Sequence, residues 1–272
     1  MLWDWVYLCS DPRRLALTMK YLPAWPKQLH TMHICWCSHL DPAKRGQELY
    51  TTAVNCMPEN SCWVVQDISP DAVEHLPAGL NDFFYGLPNG RPSWALGIKP
   101  LLALVFEPPF LYTDDDVLVL KDPQPLIDGY GEFGTRSNFA YQPSLEIQRQ
   151  IRTVFELDPS FDFGVSNLDE GVLFIRDRRD WADRLLAFSK LPYIKKLKEG
   201  CHESRRMGVR FHTAFGGQYN FHPLRTASER KNSYELPHKF SNPLAFTKGT
   251  TFFHYMTRDK VAWMDVLKGE SE

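Results

Sequence analysis

Three β-rich apolar runs alternate with two helical stretches at the start of the chain, and this alternation limits the fold more than any other feature. The run WDWVYLCS (3–10) ends at Ser10-Asp11-Pro12. Ser or Asp caps a helix and Pro suits its first turn, so LALTMKYL is expected to continue as that helix. TMHICWCS (31–38) reads as a second strand, and DPAKRGQELYTTAVNCM (41–57) repeats the Asp-Pro start before running helical. CWVVQDIS (62–69) reads as a third strand. Strand–helix–strand–helix–strand predicts an α/β fold: a Rossmann-like, mostly parallel sheet of right-handed βαβ units.

Beyond a polar connection (77–93), SWALGIKPLLALVF reads as a helix kinked near Pro100. SNFAYQP and GVLFIR (171–176) read as strands, DRRDWADRLLAFSKL (177–191) as an amphipathic helix, TTFFHYM (250–256) as a late strand and KVAWMDVLK (260–268) as a closing helix. No repeat or long linker divides the 272 residues, so a single domain is expected.

Between the helix near Pro100 and the next elements stands FLYTDDDVLVLKDP (110–123), in which Asp114, Asp115 and Asp116 separate two strand-like runs, Phe110–Tyr112 and Val117–Leu120. Three adjacent carboxylates repel one another, and burying one unpaired is costly. An exposed turn tolerates them. So does a divalent cation, which needs several hard oxygen ligands. Open α/β sheets bind ligands beyond the carboxyl ends of their strands, and the three carboxylates stand at such an end, which favours a site.

Charge is unevenly spread. Residues 1–170 hold 12 Lys/Arg and 22 Asp/Glu, whereas residues 171–260 hold 18 and 8. A basic half facing an acidic, metal-binding half suits an anionic ligand held between them, although solvated helix faces account for lysines such as Lys195, Lys196 and Lys198. Six scattered cysteines read as reduced structural thiols. No run of about 18 apolar residues occurs, so no membrane span is expected. The start MLWDWVYLCSD is not a secretory signal, and the expected location is the cytoplasm.

Helix, strand and YTDDDVLVLKDP together resemble the Asp-x-Asp segment of nucleotide-sugar glycosyltransferases of the GT-A fold. NLDEGVLFIRDRRDW (167–181) is similar to the Asn-Ala-Gly-Val-Leu-Leu-Ile segment of the family-eight retaining galactosyl- and glucosyltransferases, with Leu-Asp-Glu in place of one small residue. HYMTRDKVAW (254–263) resembles that family's C-terminal His-x5-Lys signature, and Lys99 matches the basic residue that faces the donor. VYLCSD resembles the nucleotide-binding start of the fold, which implies Ser10 and Asp11 as donor-binding residues.

The resemblance implies a single-domain GT-A enzyme over residues 1–272, with the nucleotide held by residues 1–120 and the sugar and acceptor by residues 121–272. It implies transfer of a hexose or pentose from a nucleoside-diphosphate sugar, with a UDP-sugar favoured, to a hydroxyl, with retention. A departing diphosphate needs its charge neutralised, which Mn2+ or Mg2+ does as a Lewis acid. Asp114 and Asp116, spaced i and i+2, are the expected ligands and His254 the third. Asp115 points elsewhere, to a ribose hydroxyl or a backbone amide. Lys260 adds charge beside the diphosphate, although His254, taken alone, also reads as a buried structural histidine. Asp169 and Glu170 read either as sugar- or acceptor-directed groups or as a turn cap before the following strand. Glu203, beside His202, resembles the family's paired acidic and amide residues, yet a plain helix start has the same look.

The acceptor is expected to be a saccharide or another anionic partner facing Arg178, Arg179, Arg205, Arg206, Arg210, Arg225, Arg230 and Lys231. Lipopolysaccharide cores and phosphorylated glycans qualify, with nucleic acid carrying hydroxymethylated bases (DNA modification) as the minority reading. Two rivals stand: a metal-dependent nucleotidyltransferase, which CSDPRR disfavours by lacking glycine, and a non-catalytic nucleotide- or glycan-binding module.

Overall fold

The computed structural model describes residues 1–9, 11–38, 44–69, 102–130, 132–136, 145, 149, 168–176, 233–236 and 251–254. In chain order these form β1 (Trp3–Leu8), α1 (Pro12–Tyr21), β2 (Leu29–Trp36), α2 (Arg45–Cys56), β3 (Trp63–Asp67), α3 (Leu102–Val105), β4 (Phe110–Asp114), β5 (Val117–Val119), α4 (Gln124–Tyr130), β6 (Glu132–Arg136), β7 (Leu168–Ile175), β8 (Ser233–Leu236) and β9 (Phe252–His254).

Seven strands make one sheet in the order β3-β2-β1-β4-β7-β6-β8, and β5 pairs with β9 in a separate two-stranded ladder. The β3-β2-β1-β4 block is parallel throughout. Strand β7 runs antiparallel to both β4 and β6, and β6 is parallel to β8. The sheet is therefore the mostly parallel α/β sheet that the alternation predicted, with one reversed strand inserted. The chain passes outward through β1, β2 and β3 and then returns to the other side of β1 as β4. Strand order reverses between β1 and β4, which opens a crevice at their carboxyl ends.

Burial explains why β1 and β4 sit centrally. Trp3, Trp5 and Tyr7 alternate onto one face with Met32, Ile34, Leu111, Val172 and Phe174, where Leu15 of α1 and Leu49 and Ala53 of α2 cover them. Val6, Leu8, Phe110 and Tyr112 are buried on the other face. Strands apolar on both faces belong in the middle of a covered parallel sheet. Phe106, just after α3, packs edge-on against Phe110 at 6.0 Å and against His33 at 5.1 Å between ring centroids.

Helix α1 starts as its sequence suggests. Asp11 is the N-cap, its carboxylate accepts from the Arg13 backbone N–H at 2.9 Å, and Pro12 opens the first turn. Asp41 and Pro42, the repeated Asp-Pro start, lie outside the described residues; helix α2 is described from Arg45, after Lys44 with αR backbone angles and no side-chain cap. Strand β7 begins three residues before Gly171, because Leu168 and Asp169 pair with Arg136 and Thr135 of β6. Strands β6 and β8 were not anticipated. EFGTR and SYEL are too short and polar to show a period, and their place in the sheet comes from pairing with distant strands. The expected elements SNFAYQP, 177–191 and 260–268, and the portion of the Pro100 helix before Leu102, lie outside the described residues. No helix among the described residues is long and apolar enough to cross a membrane.

Candidate functional site

The crevice between β1 and β4 collects the acidic residues. Leu8 pairs with Asp114 and also with Cys35, and Trp36 pairs with Asp67, so the carboxyl ends of β1 to β4 lie in one row. Antiparallel β7 brings its starting end to the same edge. Val172 lies opposite Thr113, so Glu170 and Asp169 continue past the end of β4.

Strand β4 ends in a two-residue turn at Asp115-Asp116 before β5. Tyr112 and Asp114 share a face of the strand, since side chains two apart point the same way. The buried Tyr112 hydroxyl donates to Asp114 Oδ1. Asp114 and Asp116 are partly exposed, whereas Asp115 is buried. Asp115 forms an ion pair through its Oδ1 with Nη1 of Arg14, 101 residues earlier in α1. Its backbone carbonyl accepts from the Tyr7 hydroxyl at 3.4 Å, and that hydroxyl also meets Thr18 Oγ1 at 3.0 Å. One position before Asp114, the Trp5 indole N–H donates to Thr113 Oγ1 at 2.8 Å, with both groups buried.

The β5–β9 ladder brings a remote segment of the chain to this turn. His254 pairs with Val117, the residue after Asp116. Opposed residues of antiparallel strands have Cα atoms about 4.5–5.5 Å apart, so the His254 backbone is one residue from the acidic turn. Leu118 and Phe253 of the ladder pack on Leu17 and Tyr21 of α1.

At the end of β1, Asp11 is engaged by its own helix. Besides capping α1, it takes a bidentate contact from Arg13, with the Nη2–Oδ2 distance at 2.6 Å. The Arg13 guanidinium holds its carboxyl below the usual carboxylate range, against a smaller opposing effect of burial. Cys9, just after β1, is buried, and its thiol donates to the Asp11 carbonyl at 3.3 Å. Burial, helped by the Asp115 charge, pushes this thiol far up, so it stays a neutral S–H and a packing group. Among the described residues Cys9, Cys35, Cys56 and Cys62 are free thiols.

At the end of β3, Asp67 Oδ1 accepts from the Ser38 N–H at 3.1 Å and the Ser69 N–H at 2.9 Å, and the two serine hydroxyls meet at 3.1 Å. Burial pushes the Asp67 carboxyl up, but the serine hydrogen bonds together outweigh it and hold the group below its ordinary value.

Of the residues singled out from sequence, Asp11, Asp114, Asp115 and Asp116 are fully described, and Asp169, Glu170 and His254 are placed by backbone pairing. Ser10, Lys99, Glu203 and Lys260 lie outside the described residues. The sequence reading missed the Arg14, Tyr7 and Tyr112 contacts to the acidic turn and the Ser38–Asp67–Ser69 group. Only Tyr112 had a local sign, its two-residue spacing from Asp114 on a strand. Among the described residues no three His, Cys, Asp or Glu side chains converge as a complete metal cage.

No protein-family model matches the sequence, and no curated protein matches it. Solved structures do. An active-site mutant of LgtC aligns with a TM-score of 0.53 over 98% of this chain and 95% of its own, at 14% identity. The apo WbbM bifunctional glycosyltransferase gives 0.50 over 94% of this chain and 46% of its own, at 9% identity. Mouse xyloside xylosyltransferase 1 covers 94% of this chain and 98% of its own at 8% identity, with a TM-score of 0.48. Likeness at these identities concerns the backbone: the chain has a mostly parallel α/β fold of the GT-A glycosyltransferase type.

Proposed function

We propose that the chain is a metal-dependent glycosyltransferase that moves a hexose or pentose from a nucleoside-diphosphate sugar to a hydroxyl acceptor. The observation that carries this reading is the meeting of three chain segments at one edge. The Asp114–Asp116 turn, the β9 residue His254 and the start of β7 at Asp169–Glu170 converge where β1 and β4 open a crevice. A nucleotide-binding fold without such a site would not need its acids gathered there.

The donor set suits Mn2+ or Mg2+. Asp114 and Asp116 are hard oxygen ligands on a tight turn, with His254 as the third. Mg2+ keeps several waters and is held by one or two carboxylates together with substrate phosphates, which such a set supplies. When bound, the ion neutralises the charge that develops on the departing diphosphate. Lys99 and Lys260 add fixed positive charge beside it. Ser10 and Asp11 border the nucleoside, and a UDP-sugar is the favoured donor. Asp169, Glu170 and Glu203 face the sugar and the acceptor hydroxyl. Retention follows from the family-eight resemblance, since a retaining enzyme needs leaving-group stabilisation more than a strong base. The acceptor is a saccharide or another anionic partner for the basic segment 171–260, with nucleic acid the minority alternative.

The test is a donor screen. Hydrolysis of UDP-, GDP- and CDP-sugars is measured with Mn2+ and no acceptor, then with excess chelator. Release of one nucleoside diphosphate, lost with chelator and restored by Mn2+ or Mg2+, is expected. Full turnover in chelator refutes the metal reading and leaves Lys99 and Lys260 to bear the leaving-group charge.

A further inference from the structure

We infer that Arg14 is a positioning residue that sets the acidic turn from beneath, acting through Asp115. This rests on the reading of Asp114 and Asp116 as ligands of the divalent ion. The middle residue of the turn is held at two points by the first βα unit. Its carboxylate is ion-paired with Arg14 of α1, and its carbonyl accepts from Tyr7 of β1. Tyr7 is tied in turn to Thr18, one helical turn beyond Arg14 on α1. The same helix supports the β5–β9 ladder, through Leu17 and Tyr21 against Leu118 and Phe253. Helix α1 therefore carries both the acidic turn and the ladder that ends at His254.

Three adjacent carboxylates would repel one another, and the ion pair of Arg14 with the buried one lowers that repulsion where Asp114 and Asp116 are to meet a divalent cation. Asp115 is also the buried member of the turn, while Asp114 and Asp116 are partly exposed. Groups hydrogen-bonded directly to metal ligands change metal affinity about 10–100-fold when removed, and Arg14, which acts through the non-ligand Asp115, is expected at the low end of that range.

The sign of the effect tests the inference. If Arg14 acted only through its charge, removing it would make the turn more negative and tighten Mn2+ binding. A positioning role predicts the reverse. Mn2+ binding with UDP present is measured by electron paramagnetic resonance of the free ion on the full chain, with thermal midpoints recorded in parallel. Arg14→Gln is expected to weaken Mn2+ about tenfold, Arg14→Lys to recover most of that, and Tyr7→Phe to weaken it a few-fold. KM for Mn2+ should rise while kcat at saturating Mn2+ stays within about twofold. Unchanged or tighter Mn2+ binding in Arg14→Gln overturns the inference and leaves the metal reading intact, even where its thermal midpoint falls. Should Arg14→Gln fail to fold, Tyr7→Phe decides alone: wild-type affinity there overturns the inference. Wild-type protein that binds no Mn2+ in the presence of UDP overturns the metal reading, and the inference with it.

Discussion

Replacing Thr113 by Val isolates one contact that ties the two strands flanking the crevice. The Trp5 indole N–H reaches Thr113 Oγ1 at 2.8 Å, with Trp5 1% and Thr113 0% exposed. Valine fills nearly the same volume but offers no acceptor, so the N–H is left buried and unpaired. An orphaned buried donor costs about 1–3 kcal/mol. Thr113→Ser separates the two effects: it keeps the acceptor and loses one methyl group, at about 1 kcal/mol. For a chain of this size each kcal/mol moves the thermal midpoint roughly 2–4 °C, so a Val penalty near 2 kcal/mol lowers it by roughly 4–8 °C. Urea unfolding followed by circular dichroism should place wild type above Thr113→Ser and Thr113→Ser above Thr113→Val, with unchanged m. A double-mutant cycle with Trp5→Phe should return a coupling energy of about 1 kcal/mol, since both partners of the hydrogen bond are then gone. Thr113→Val as stable as Thr113→Ser, or a cycle with no coupling, refutes the argument that this hydrogen bond holds β1 to β4.

The remaining predictions address the chemistry and the charges. Asp116→Asn and His254→Ala should each lower kcat about a hundredfold, whereas Glu170→Gln should cost much less, and the product's anomeric proton signal should show retention. A β-linked product from an α-donor, with complete loss of activity in Glu170→Gln, would instead make Glu170 an inverting base. Acceptor affinity should fall steeply with salt while donor affinity changes little, and Arg205→Ala with Arg206→Ala should weaken acceptor binding alone; a flat salt response makes those arginines a solvated face. Asp67, held below its ordinary value by Ser38 and Ser69, adds stability that is present above the unfolded carboxyl pKa of about 3.9 and is lost as pH falls through the lower folded value. Its partial exposure keeps the effect small, so Asp67→Asn should lower the unfolding midpoint slightly at pH 7 and not at all near pH 2, and an equal shift at both would refute the linkage.

Local pattern carried the parallel half of this fold. The apolar runs at β1, β2 and β3 and the Asp-Pro helix start at Asp11 are each readable within ten residues, because a strand's periodicity and a helix cap are local facts. The reversed strand β7 is apolar enough to be read as a strand, yet its direction depends on which neighbour it meets, and no short window contains that. EFGTR and SYEL show the same limit more strongly. Their identity as strands comes from pairing across about 100 residues, Glu132 with Ser233 and Thr135 with Leu236.

The acidic turn shows how legibility divides within one motif. Asp114 and Asp116 announce themselves, since two carboxylates two residues apart at a strand end have few cheap uses. Asp115 looks identical in the sequence and has a different role: it is buried against Arg14 while its neighbours remain partly exposed. That difference is set by α1, which was readable as a helix but not as the underside of a turn 101 residues away. Arg13 and Arg14, adjacent in sequence, divide in the same manner. Arg13 is exposed and engages its own helix cap, while Arg14 turns in to the buried carboxylate. Helical geometry sends adjacent side chains in different directions, and only the packing partner decides which of the two joins the site. A charge pattern therefore points to the edge where chemistry belongs, and the fold assigns the individual residues.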